Sequence, residues 1–149
     1  MFCKDHIAMR EKLEQVGLRV TRQRLMIANL LFSKGDRHVT AEGLFGESSA
    51  MAYPPSLATI YNTLRDFAEK GLVREIALYG GKVWFDTQTG PHFHFYLEDS
   101  EELFDLPEEL IPQFNIPAPP GTRIAGIDVV IKLERLSDQE TPSSSTAAA

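Results

Sequence analysis

Cysteine is almost missing from this chain. Cys3 stands alone among 149 residues, which excludes an internal disulfide and any structural zinc site built on four cysteines. Long apolar runs are missing too: no stretch reaches the ~20 residues a membrane-spanning helix needs, and no signal-peptide apolar core opens the chain. The expectation is a soluble, cytoplasmic protein with no membrane partner. Basic charge is in deficit, with 15 Lys and Arg against 21 Asp and Glu and a net charge of -6, which taken alone argues against nucleic acid. The deficit is uneven. Residues 1–85 hold 12 Lys/Arg and 9 Asp/Glu (+3), whereas residues 86–149 hold 3 and 12 (-9). A mildly basic module followed by an acidic one fits this split, and only the first favours phosphate.

What is present falls into a clear order. The length suits one ordinary domain or two small ones, and 43% hydrophobic residues suffice for compact cores. Residues 5–16 alternate apolar and charged positions at helical spacing, and Gly17 is placed to end that helix. Thr21 caps a second helix with apolar Leu25, Ile27, Ala28, Leu30 and Leu31, and Thr40 caps a third carrying Ala41, Leu44 and Phe45. After Tyr53-Pro54-Pro55 breaks the chain, Ser56 caps a fourth helix that runs to about Lys70, with Gly71 as its stop. On that helix Leu57, Ile60, Leu64, Phe67 and Ala68 share one face. Ala58, Asn62 and Arg65 share another, with Tyr61 at its edge. Two strands, 73–78 and 82–85, follow around Tyr79-Gly80-Gly81. Helix, turn, helix and hairpin is the pattern of a winged helix-turn-helix.

The second half reads as strands over 92–97 and 102–106, a short helix opened by Pro107 and running to about Phe114, and a strand over 123–135 after a Pro-rich loop. That core is marginal alone, and dimerisation is the expected remedy. Residues 137–149 have the composition of a disordered tail. The fold class is therefore α+β: a winged-helix DNA-binding domain over 1–86, a hinge over 87–91, and a small α/β dimerisation domain over 92–136.

The four histidines are unevenly placed, two of them in His92-Phe93-His94. On a strand, His92, His94 and Tyr96 point one way and Phe93, Phe95 and Leu97 the other. Their Cα atoms then lie roughly 6.5 to 7 Å apart, close enough for both imidazoles to meet one ion. Asp86 sits just upstream, across a turn that can return its carboxylate.

Five stretches carry a resemblance. They are Gly17-Leu18-Arg19-Val20-Thr21-Arg22-Gln23-Arg24, His38-Val39-Thr40-Ala41-Glu42, Ser56-Leu57-Ala58-Thr59-Ile60-Tyr61-Asn62-Thr63-Leu64, Gly71-Leu72-Val73 and His92-Phe93-His94. In this order they resemble the motifs of the ferric uptake regulator (Fur) family. Leu31-Phe32-Ser33-Lys34-Gly35, Tyr61-Asn62-Thr63-Leu64 and Ile124-Ala125-Gly126-Ile127-Asp128-Val129-Val130 are similar to its iron response regulator (Irr) branch.

The resemblance implies a homodimeric, iron-responsive transcription regulator or repressor, not an enzyme, acting on an A·T-rich palindromic operator in double-stranded DNA. It implies a regulatory metal between the domains, held by His38, Asp86, His92, His94 and Asp105. On the fourth helix, Tyr61, Asn62 and Arg65 are the expected base contacts and Ser56 or Thr59, near its N-terminus, the expected phosphate contact, while the resemblance places Arg19 in the minor groove. Three imidazoles and two carboxylates suit Mn²⁺ or Fe²⁺ better than tetrahedral Zn²⁺, which can still win in vitro.

Departures from the family pattern bear on cofactors. The structural-zinc cysteine pair would fall at Leu97 and Ser100, and second-site ligands at Pro91 and Phe93, so one metal position survives at most. The Irr resemblance also brings haem into view, at His92 and His94 or near Cys3 and His6, where the expected Cys-Pro lacks its proline. Two rivals stand beside this reading. A peroxide sensor of the same family would oxidise its own histidine ligands, whereas a metal-dependent hydrolase would need a general base and a substrate cleft that the sequence does not supply.

Overall fold

The structure, a computed structural model, describes residues 2–78 and 80–137, with side chains from His6 onward. Tyr79, the Cys3 side chain and the expected tail beyond Ser137 lie outside the described residues. The chain divides into two compact units, residues 1–90 and 91–149.

The first unit begins with α1 (Phe2–Gln15) and α2 (Arg22–Phe32). Gly17, at φ +75, ends α1 in the left-handed region. Its amide bonds the Glu14 carbonyl and the Leu18 amide bonds that of Leu13, so the last carbonyls of the helix are satisfied. Gly71 does the same for the fourth helix: at φ +73, it donates to Ala68 while Leu72 donates to Phe67. The anticipated caps are all formed. Thr21 accepts from the Arg24 amide, Thr40 from Gly43 and Ser56 from Thr59, at 3.2, 3.0 and 3.1 Å. These caps start α2, α3 (Ala41–Ser48) and α4 (Leu57–Glu69).

On α4, Ile60, Leu64 and Phe67 are fully buried, joining Leu13, Ile27, Leu31, Leu44 and Phe85 in one core. Burying side chains of this size stabilises by about 1.5–3 kcal/mol each. Leu57, expected on the same stripe, is 39% exposed, because it lies in the first turn before the helix meets the core. Asn62 and Arg65 face solvent.

A three-stranded antiparallel sheet completes this unit, formed by β1 (His38–Val39), β2 (Arg74–Ala77) and β3 (Val83–Asp86) in the order β1-β3-β2. The strand β1 is absent from the sequence reading, since two residues carry no alternation signal. Helices α3 and α4 with the β2–β3 hairpin make the winged helix-turn-helix.

The second unit is a sheet of β4 (His94–Leu97), β5 (Glu102–Asp105) and β6 (Val130–Leu133), with β4 central, antiparallel to β5 and parallel to β6. Three expectations are corrected here. The first strand starts at His94 rather than His92. The helix opened by Pro107 is a single 3-10 turn, Glu108–Leu110, because Pro112 follows at once and removes an amide donor. The last strand covers Val130–Leu133 rather than 123–135: its ladder with β4 begins at Val130, just after the Val129 carbonyl that accepts from the His94 amide, and Ile124 and Ala125 further upstream are exposed. Phe104, Phe95 and Ile131 are cross-strand partners and so share one face. Phe104 and Ile131 there are 46% and 40% exposed.

Candidate metal centre and nucleic-acid interface

In the first unit the β1–β3 ladder sets His38 directly opposite Asp86. His38 Nε2 lies 3.2 Å from Asp86 Oδ2. The other carboxylate oxygen, Oδ1, accepts from the Gln88 amide at 2.8 Å, which fixes the rotation of the side chain. Asp86 is 1% exposed, so its charge is held almost wholly out of water. A clamp extends the ladder one step further. The Arg37 amide donates to Thr87 Oγ1 (2.8 Å), and the Thr87 amide returns to the Arg37 carbonyl (3.1 Å). The Arg37 guanidinium then reaches the Leu30 carbonyl on α2 and both carboxylate oxygens of Glu47 on α3. Those hydrogen bonds from Arg37, with Lys34 2.7 Å away, lower the Glu47 pKa from 4.5 to about 2, against the opposing effect of burial. Sequence reasoning missed this clamp. Its only signal is that Arg37 and Thr87 flank the two candidate ligands.

In the second unit His94 pairs with Asp105 across β4 and β5. Nε2 of His92 and Nε2 of His94 lie 3.3 and 3.5 Å from the same Asp105 oxygen, Oδ1. The two rings are 4.5 Å apart, centroid to centroid. Both histidines are buried, whereas the Asp105 side chain is 44% exposed. Two imidazole nitrogens converging on one carboxylate oxygen make a donor set of the kind that grips a divalent transition metal. It does not fit haem, because an axial histidine needs its nitrogen aimed at a flat apolar slot, and both nitrogens here face a carboxylate.

The remaining predicted residues separate by exposure. Asn62, Arg65, Ser56 and Arg19 are exposed and Thr59 is half-buried. Ser56 and Thr59 hydroxyls bond one another at 2.9 Å as part of the α4 cap. Tyr61 is half core: its ring meets Phe85 edge-on at 6.3 Å, and it lines a recess of about 250 Å³ with Thr40, Glu42 and Lys82. His6 lies elsewhere, on the wall of a largely apolar cavity of about 660 Å³ with Leu25, Met26, Met51, Tyr53 and Arg22.

An exposed polar face on the second helix of a winged helix-turn-helix, accompanied by largely buried His/Asp donor sets in which only Asp105 is exposed, defines a DNA-binding regulator equipped to take a metal ion. Comparison with known proteins makes the assignment definite: residues 15–125 match the model of the "Ferric uptake regulator family", and the chain belongs to it. The chain is 34% identical over 115 residues to the ferric uptake regulation protein of Shigella flexneri, covering 75% of this chain and 78% of that one. It is 35% identical over 103 residues to the peroxide-responsive repressor PerR of Staphylococcus aureus, covering 69% and 67%. Among solved structures, the ferric uptake regulator from Pseudomonas aeruginosa with manganese superposes with a TM-score of 0.66 at 24% identity, over 87% of this chain and 98% of that one. The family's members are metal-responsive transcription regulators that bind DNA as dimers, and they are not enzymes. No helix among the described residues is long and apolar enough to cross a membrane.

Proposed function

We propose that this chain is an iron-responsive DNA-binding regulator of the Irr type. One divalent ion would be held jointly by His38 and Asp86 from the first unit and by His92, His94 and Asp105 from the second. The observation that carries the reading is the convergence of His92 and His94 on Asp105 Oδ1 at 3.3 and 3.5 Å. Neither donor set is complete alone, with two ligands in one unit and three in the other. Five nitrogen and oxygen donors without a thiolate suit Mn²⁺ or Fe²⁺. A bound cation would neutralise the Asp86 and Asp105 carboxylates and draw on both units at once. Occupancy would then set how the reading helices of a homodimer are presented, and that presentation decides half-site spacing on DNA.

On DNA, Asn62, Arg65 and the edge of Tyr61 read bases, Ser56 or Thr59 meets phosphate, and Arg19 enters the narrow minor groove of A·T-rich sequence. The apolar row Phe104, Phe95 and Ile131 supports homodimerisation through the second unit. The Irr reading brings haem as a second effector. Its place would be the cavity beside His6, whose volume lies within the range of about 300–1,000 Å³ typical of small-molecule pockets. Similarity to PerR supports a second reading, in which an Fe²⁺-loaded site senses peroxide.

A titration of an A·T-rich palindromic duplex with metal-free, Mn²⁺-loaded and haem-treated protein tests the proposal. The expected result is tight binding with Mn²⁺, weaker binding without it and antagonism by haem. Identical curves in all three states would remove the sensing role of these ligands.

A further inference from the structure

One side chain hydrogen-bonds both the loop before α2 and the helix α4, beside the packing of Leu18 and Val20 on the core that α4 shares. Arg24 donates from Nη1 to the backbone carbonyl of Arg19 at 3.0 Å and from Nη2 to Oδ2 of Asp66 at 2.6 Å. Its side chain is 25% exposed and that of Asp66 is 38% exposed, so the pair sits at the rim of the core. Asp66 directly follows Arg65. One guanidinium therefore ties the backbone of one candidate DNA contact to the immediate neighbour of another.

The arrangement is specific to arginine. A planar fork holds two acceptors at once in fixed directions, whereas a lysine ammonium is a point charge on a flexible stem. An ion pair this exposed adds little to stability, so folding alone is a weak reason for it. Distance between reading elements is a better one. If the Arg19 loop and α4 slid relative to one another, the minor-groove and base contacts would no longer fall at a constant separation along the duplex. The link also keeps the charge of Asp66 matched beside a surface meant for phosphate.

We propose that Arg24 is a positioning residue which, through Arg19 and Asp66, fixes the offset between the A·T-rich flank and the base motif this protein reads. The proposal rests on the DNA-reading assignment above. Selection from a pool of random duplexes by the full-length, Mn²⁺-loaded protein, followed by sequencing, tests both separately. The wild-type pool should yield a core motif with A·T enrichment at a constant offset. Arg19→Ala should lose the enrichment and keep the core. Arg24→Lys and Asp66→Asn should keep the core and lose the constant offset, with thermal unfolding midpoints close to wild type. Retention of the offset in both variants would overturn the proposal, as would loss of core and flank together with a collapse of the unfolding midpoint. A wild-type pool with no motif would overturn the DNA-reading assignment itself.

Discussion

His38 and Asp86 are far apart in sequence yet face each other across a strand ladder, with His38 Nε2 3.2 Å from Asp86 Oδ2. The ladder sets the two backbones opposite one another and the Gln88 amide holds the Asp86 carboxylate before any ligand arrives, so little ordering of Asp86 remains to oppose binding. Replacement of Asp86 by Ala should reduce Mn²⁺ affinity by at least about ten-fold, since even outer-shell losses cost that much. Calorimetric titration checks it, and unchanged affinity would exclude Asp86 as a ligand.

The Arg37–Glu47 clamp predicts a pH signature. Glu47 titrates at about 2 in the folded chain against 4.5 normally. Its contribution to stability is therefore complete above pH ~4.5 and is lost as pH falls toward 2. The contribution is at most about 3 kcal/mol, and less after solvent screening. Urea unfolding of wild type and Glu47→Gln at pH 3 and pH 7 should show the difference between them shrinking at the lower pH. A constant difference would show that the ion pair does not supply it.

Arg65 projects from the exposed face of α4. Arg65→Ala should cost about 1–3 kcal/mol on the selected site and relax discrimination at one base position. Uniform weakening on every sequence, with a shallower salt dependence, would reassign it to phosphate.

Phe104 and Ile131 leave an apolar row half exposed on the second sheet. Placing Asp at either position should shift the protein from dimer to monomer in sedimentation, while its circular dichroism stays native. Persistent dimers would move the interface elsewhere.

Peroxide treatment of the Fe²⁺-loaded protein separates the two regulatory readings. Added oxygen on His38 or His92 by mass spectrometry is the outcome expected of a peroxide sensor. Unmodified histidines, with DNA binding still metal-dependent, are the outcome expected of an iron regulator.

The helical part of the fold was legible because its signals are local. Thr21, Thr40 and Ser56 cap where hydroxyls precede apolar stripes, and Gly17 and Gly71 stop helices where positive φ is required. The second unit was read less well, since short strands draw their identity from neighbours rather than from their own alternation. Residues 123–129 alternate yet lie before the β6 ladder, with the Val129 carbonyl accepting from the His94 amide at its edge, whereas His38-Val39 carries no pattern and pairs with β3. The site shows the same division. Asp86, His92 and His94 stood out by spacing alone, but His38 and Asp105 are set by cross-strand register and came only through family resemblance.

One further feature bears on how the molecule can be watched. Trp84 is the sole tryptophan of the chain, two residues before Asp86 and on the same side of β3. Among the described residues its indole nitrogen is buried without a hydrogen-bond partner. The protein thus carries a built-in optical label next to one of its proposed ligands. A change in charge at Asp86 should alter the emission of a single indole, which longer-wavelength excitation separates from the four tyrosines.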